Sequence, residues 1–220
     1  MYKHRAILKR VGIVLIAVGI IDIAYWIYCI SRGQSYSSIF NIPAMVAGVF
    51  LLRGSLRAVH IVTWFAAFML SNFVSELILL PLLQPAELWV IQFRFDPVGL
   101  SMSLLVRITL IALFFWIYTQ LRAAPVVSAS SNSGHSASTG KLAFILGVAL
   151  VVLPVGMMHF IRGGAAGAKA VELARAKYGQ DYKYHLTGMS WSNGNVTASL
   201  TAYNEQKIKP VQVEWEQRSQ

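Results

Sequence analysis

Cysteine is nearly missing from this chain of 220 residues, in which Cys29 stands alone. One thiol cannot form an intramolecular disulfide, and it cannot supply a multi-cysteine zinc or iron–sulfur site. The chain also lacks the H-E-x-x-H, G-x-S-x-G, P-loop and Rossmann glycine motifs. The enzyme classes that these motifs mark are therefore not indicated, and we expect no catalytic residue, no cofactor and no metal site.

Charged residues are scarce as well, at 13% of the chain, whereas a soluble domain carries about 25%. Hydrophobic residues make up 56%, more than one soluble core of this length buries. The formal net charge of +10 comes from basic residues near the ends of apolar runs, and no basic face interleaved with aromatic residues is present. We expect a lipid bilayer as the partner of this chain, and no nucleic acid.

Five apolar runs are visible in the sequence, at residues 11–30, 39–52, 58–83, 98–121 and 142–160. A transmembrane helix needs about 20 residues, with a range of about 17–25. The second run is short, so it either spans the bilayer or re-enters from one side. The pattern predicts a helical membrane bundle with about five transmembrane helices. We expect a four-helix unit over residues 1–122, a flexible cytoplasmic Ser/Gly/Ala linker over 123–141 and a fifth transmembrane helix over 142–161.

The basic residues are distributed unequally between the two ends of these runs. If all five runs span, the short loops on one side contain only Arg32 and Arg94, and the other side contains Lys3, Arg5, Lys9, Arg10, Arg53, Arg57, Arg122 and Lys141. Basic residues are retained on the cytoplasmic side of membrane proteins. This distribution predicts a cytoplasmic N-terminus and an extracytoplasmic C-terminus.

The C-terminal tail, residues 165–217, has the composition of a small α+β domain outside the bilayer. Apolar residues lie on one helical face over residues 165–178, and Gly179 is a suitable stop. Three alternating segments follow, and Asn193-Gly194 between the first two is typical of a two-residue hairpin. We predict an α-β-β-β meander with one apolar face on the helix.

Three charged residues fall inside the apolar runs, where a charge is costly and is often functional. Asp22 and Arg107 lie at similar predicted depth, so we expect them to pair, and Glu76 is close enough to join them. The pair either fixes the register of the helices or lines a polar path for a proton, an ion or a ligand head group.

Several spans followed by a small α+β domain make this chain look like bacterial inner-membrane proteins, and residues 168–216 resemble the small domains of membrane-complex assembly factors. The missing catalytic motifs and the compact predicted sheet favour a non-enzymatic accessory, assembly or regulatory protein of a bacterial inner-membrane or envelope complex. Its periplasmic domain would bind a protein partner through outward residues such as His185, Trp191 and Tyr203, and homo-oligomers are possible. The alternative is a small oligomeric transporter or channel that uses Asp22, Glu76 and Arg107. A membrane enzyme is a third alternative.

Overall fold

The structure, a computed structural model, describes residues 3–33, 35–36, 41–133 and 141–216. In these ranges the chain is mostly helical and ends in a three-stranded antiparallel sheet. The helices are α1 Lys3–Ser31, α2 Asn41–Leu52, α3 Leu56–Leu83, α4 Ala86–Phe95, α5 Pro97–Leu121, α6 Ala124–Asn132, α7 Lys141–Gly163 and α8 Ala165–Tyr178. The strands are β1 Lys183–Ser192, β2 Asn195–Asn204 and β3 Lys207–Glu216.

Four helices in the described part of the chain are long and apolar enough to cross a membrane, namely α1, α3, α5 and α7. The predicted second run differs from these four, because α2 has 12 residues and extends only about 18 Å at 1.5 Å per residue. The hydrocarbon core of a bilayer is about 30 Å thick. Residues 39–40, where this run was expected to begin, lie outside the described residues.

Helix α2 packs antiparallel on the N-terminal part of α1 through two glycines. A Cβ atom on Gly12 would lie 2.8 Å from the carbonyl oxygen of Gly48, and a Cβ on Gly48 would lie 2.7 Å from the carbonyl oxygen of Gly12. Only hydrogen at both positions lets the two backbones approach this closely. The contact joins the short helix to the long one without any polar side chain.

The chain divides into two compact units, Met1–Phe73 with Thr109–Val148, and Val74–Ile108 with Ala149–Gln220. The core of the first unit contains buried residues from α1, α2, α3, α5 and α6, among them Leu8, Leu51, Val62, Ile117 and Val126. Within the same unit, Gly147 of α7 packs closely against Ser71 and the backbone of Phe68 in α3.

The predicted linker over residues 123–141 contains a helix. Helix α6 begins just after Ala123 with Pro125 in its first turn, and it buries Val126 completely and Ser130 almost completely. Proline is favourable in the first turn of a helix, and burial of Val126 contributes hydrophobic free energy that a polar linker lacks. Residues 134–140 of the expected linker lie outside the described residues.

The C-terminal helix and the three-stranded antiparallel sheet confirm the predicted order of elements. Asn193 and Gly194 have φ values of 51° and 78°, as the predicted two-residue hairpin requires. One face of the sheet packs on α8 and on the end of α7, with a core of Ala170, Ala174, Leu186, Ala198, Leu200, Ala202, Val211 and Val213. The sheet is regular except for a bulge between Leu186 and Gly188.

Candidate functional site

An ion pair lies within the second unit, between two of the apolar helices. The guanidinium of Arg107 in α5 is 3.2 Å from the carboxylate of Glu76 in α3, and each side chain is about one-third exposed. Glu76 is seven residues before the end of α3, so it lies about 10 Å from that end. The charge that we expected as a third participant is therefore the one that contacts Arg107.

Asp22 has a different polar partner. The hydroxyl of Tyr36 donates a hydrogen bond to Oδ1 of Asp22, and Tyr36 packs edge-on against Tyr25 with 5.0 Å between the ring centroids. The other carboxylate oxygen, Oδ2, is buried and has no hydrogen-bond partner within the described residues. The expected partner of Asp22 was Arg107, and the contact that the structure gives Asp22 is this tyrosine.

Arg162, in the last turn of α7, connects the C-terminal domain to the end of α3. Its Nε donates to the carbonyl oxygen of Leu186 in β1 at 2.9 Å, and its Nη1 donates to the carbonyl oxygen of Leu83 at 3.0 Å. Nε2 of His185 lies 3.1 Å from the same Leu83 oxygen, where the Nε2–H tautomer donates. The last carbonyls of a helix lack intrahelical donors, and these two side chains supply them at the end of α3.

A second contact joins the same strand to α4. The ammonium of Lys183 forms an ion pair with the carboxylate of Glu87, which raises the pKa of Lys183 through the hydrogen bond and the charge. Tyr203, the neighbour of Lys183 across the sheet, is 4% exposed. Its pKa is raised, chiefly by burial and then by the charge of Glu87. The hydrogen bonds to Leu83 and the Lys183–Glu87 ion pair together hold one end of the sheet against the turn between α3 and α4.

His185 is half-buried, and burial is the main reason that its pKa is lowered. The nearby positive charge of Arg162 lowers the pKa of His185 further, whereas the hydrogen bond to Leu83 opposes the shift. The ring is therefore neutral at pH 7 and acts as a hydrogen-bond donor to the helix end.

The three residues that we expected on an outward binding surface have different surroundings. Trp191 is 47% exposed. Tyr203 is buried, and His185 contacts Leu83. Sequence reasoning missed Arg162 as the connecting residue, because a basic residue in the last turn of an apolar helix is common and has no distinguishing pattern.

The histidines that could bind a metal do not form a cluster within the described residues. His60 in α3 and His159 in α7 are both exposed, and the described residues contain no group of three or more potential metal ligands. A groove of about 410 Å³ between α1 and α2 is lined by the apolar residues Ile23, Ile42, Met45, Val46, Val49 and Phe50. Such a groove offers no polar group to a metal or to a hydrated ion.

The chain was compared with family models, curated proteins and solved structures, and nothing matches it in any of the three.

Proposed function

We propose that this chain is a non-enzymatic accessory protein of a membrane complex, and that its C-terminal domain is a binding platform held at the membrane surface. The observation that carries this proposal is the triple contact of Arg162 and His185 with Leu83 and Leu186. The three hydrogen bonds orient the domain on the end of α3. Trp191, at the far end of β1, is left exposed, and exposed tryptophan is enriched in binding surfaces.

The proposed topology has a cytoplasmic N-terminus and a C-terminal domain on the periplasmic side of a bacterial inner membrane. It is supported by the basic residues at the start of α1 and α7 and by Arg122, which directly follows α5. Helix α2 runs antiparallel to α1, and α3 begins four residues after α2 ends, so the short helix returns the chain to the side where α1 began. In the proposed topology the C-terminus is therefore on the side opposite the N-terminus, as five full spans would place it, although α2 alone is too short to span.

The experiment is affinity purification in mild detergent of the full chain and of a chain that ends at Gly163. A partner that co-purifies with the full chain and is lost from the shorter one supports the platform. Trp191→Ala should weaken the same association at least tenfold. Phe160→Ala is the matched control, because Phe160 is an aromatic residue that is 83% exposed but belongs to α7. Equal recovery from the full and the shortened chain would refute the proposal.

The second candidate function is transport, and the Glu76–Arg107 ion pair is the observation that favours it. A partly exposed ion pair within apolar helices is costly unless it serves packing or a polar path. The test is proton or ion flux into vesicles that contain the parent chain or a folded Glu76→Gln or Asp22→Asn variant. Loss of flux in the folded isosteric variants would favour transport. Unchanged flux in both would exclude these carboxylates from a transport pathway.

A further inference from the structure

The sheet has the order β1-β2-β3, so the outer edges of β1 and β3 carry backbone groups that are not paired within the sheet. Antiparallel residue pairs alternate between hydrogen-bonded and non-bonded, so every second residue of an edge strand directs its N–H and C=O outward. The two-residue turn at Asn193-Gly194 makes Ser192 and Asn195 a bonded pair. Counting back from this pair, Trp191 and Met189 direct their backbone groups outward.

The outer edge of β3 is obstructed. Counting from the pair Asn204 and Lys207 beside the second turn, Pro210 and Gln212 are the outward residues in the middle of the strand. Pro210 has no N–H to offer, and the carbonyl oxygen of Gln212 accepts a hydrogen bond from the hydroxyl of Tyr178 at 2.9 Å. Both facts agree with the alternation, and together they leave this edge unable to accept a full strand.

The first half of β1 is obstructed too. The outward carbonyl of Leu186 accepts the hydrogen bond from Arg162, and the bulge between Leu186 and Gly188 interrupts the regular spacing of the edge. Bulges and charged side chains are devices by which proteins block edge strands. The chain therefore blocks its strand edges at three positions with a proline, a tyrosine and an arginine.

The second half of β1 has no such obstruction. No described residue forms a hydrogen bond with the outward backbone groups of Met189 and Trp191, and the Trp191 side chain is 47% exposed. Because the outward groups recur at every second residue, about 6.8 Å apart, another extended backbone is the ligand that matches them.

We propose that an extended strand of a partner protein adds to the β1 edge at Met189 and Trp191. This inference rests on the proposed platform function and specifies how the platform binds. The added strand would place apolar side chains beside Met189 and Trp191, and polar side chains beside Ser190 on the opposite face. Main-chain hydrogen bonds then give the affinity, and alternate side chains give the selectivity.

The position of this edge also favours a particular source for the strand. Arg162 holds the β1 edge toward the ends of α3 and α7, which are two of the membrane-spanning candidates. The domain also begins at Ala165, two positions after α7 ends at Gly163, so a segment adjoining a span of another membrane protein is the source that we propose for the added strand.

The test compares two proline variants in the full chain. Met189→Pro removes one outward N–H and leaves the bonds between β1 and β2, as Pro210 already does on β3. Glu214→Pro is the matched control, because Glu214 is an outward residue of β3. A photo-crosslinking residue replaces Ser190 in each chain, and adducts are measured in native membranes. We expect an adduct with one membrane protein that falls at least tenfold in Met189→Pro and is unchanged in Glu214→Pro.

Hydrogen exchange provides the second measurement, which also holds if Met189→Pro fails to fold. In the purified parent chain the Trp191 amide should exchange at least tenfold faster than the inward Ser190 amide, and the bound partner should slow it at least tenfold. Equal adducts in both proline variants, an adduct with lipid alone or with a second copy, or a Trp191 amide that the partner does not slow would overturn strand addition. If the partner is lost on truncation at Gly163 but binds Met189→Pro normally, the platform stands and strand addition fails.

Discussion

The C-terminal domain and the long apolar helices obtain their cohesion from different sources. Within the domain, Ala198, Ala202 and Leu200 are between 0% and 1% exposed in a core that α8 and the sheet form, with the end of α7 packed against it. On the helices, side chains such as Leu153 and Ile21 are 70% and 68% exposed. Exposed leucine and isoleucine at this density need lipid or partner helices around them. The domain therefore buries an apolar core as a soluble protein does, whereas the helices depend on the lipid or partner helices around them.

The largest expected effect is in the domain core. Leu200→Ala should lower the free energy of unfolding of the sheet by about 2–5 kcal/mol, because it deletes methyl groups at a site that is fully buried. Leu153→Ala, at a 70% exposed position on α7, is the matched control and should leave the sheet unchanged. Amide exchange of β2 in the full chain measures both. Similar losses in the two variants would remove the contrast between the regions.

The next effect is on the connection between the regions. Arg162→Met should cost about 2–3 kcal/mol of docking free energy, because it removes two hydrogen bonds that each contribute about 1–1.5 kcal/mol in a partly exposed site. The end of α3 and strand β1 should then exchange amide protons faster, while the interior of β2 keeps its protection. Arg175→Met is a control, since Arg175 lies on α8 and is exposed. Unchanged exchange at β1 would show that Arg162 does not hold the domain.

Helix packing gives the third prediction. Gly48→Leu should destabilise the contact between α1 and α2 by about 1–3 kcal/mol, since overpacking forces the backbones apart. Gly156→Ala is the control, because no atom lies within 4 Å of the added Cβ on α7, and alanine is favoured over glycine in helices. The thermal unfolding temperature in detergent should fall for Gly48→Leu only. A Gly48→Leu protein with parental stability would mean that the close approach is not required.

The ion pair gives a smaller effect. A double-mutant cycle with Glu76→Gln and Arg107→Met should give a coupling energy of about 1 kcal/mol, because both side chains are partly exposed. Each single variant leaves one unpaired charge among apolar helices, so the double variant should be more stable than the sum of the two losses predicts. Strictly additive losses would contradict the pairing.

The smallest effect is the pH dependence of docking through His185. Its pKa in the folded chain is lowered by burial and by Arg162, so the neutral ring is the form that is favoured there. Docking stability should be complete above the ordinary histidine pKa of about 6.5, fall as the pH drops below it, and level off beneath the lowered pKa. Amide exchange at β1 between pH 7.5 and 5 measures this slope. His185→Gln should remove the slope, and a variant with the same slope would assign it to another group.

Local signals predicted the C-terminal domain well. The helix predicted over residues 165–178 coincides with α8 Ala165–Tyr178, and the Asn193-Gly194 turn joins β1 and β2. These elements depend on apolar periodicity and turn chemistry, which act over a few residues. The composition likewise identified the four long apolar helices. Helix α6 was missed because its Ser-rich sequence resembles a linker, and burial against other helices stabilises it.

The long-range contacts were beyond prediction from the sequence. Arg162 and Leu83 are 79 positions apart, and His185 and Leu83 are 102 positions apart. Asp22 was expected to pair with Arg107 because depth along a helix can be counted from the sequence. Depth does not give the direction in which a side chain projects around the helix axis, and Arg107 meets Glu76.

By itself, the sequence determined which segments are apolar enough to enter a membrane and where the terminal helix and hairpin form, because those properties belong to neighbouring residues. The tertiary structure alone decided that Arg162 and His185 donate hydrogen bonds to the end of α3 and that Tyr203 is buried. It also decided which part of the strand edges has no hydrogen-bond partner. The physical reason is that a hydrogen-bond partner or a covered surface is chosen by proximity in space, and no local pattern records it.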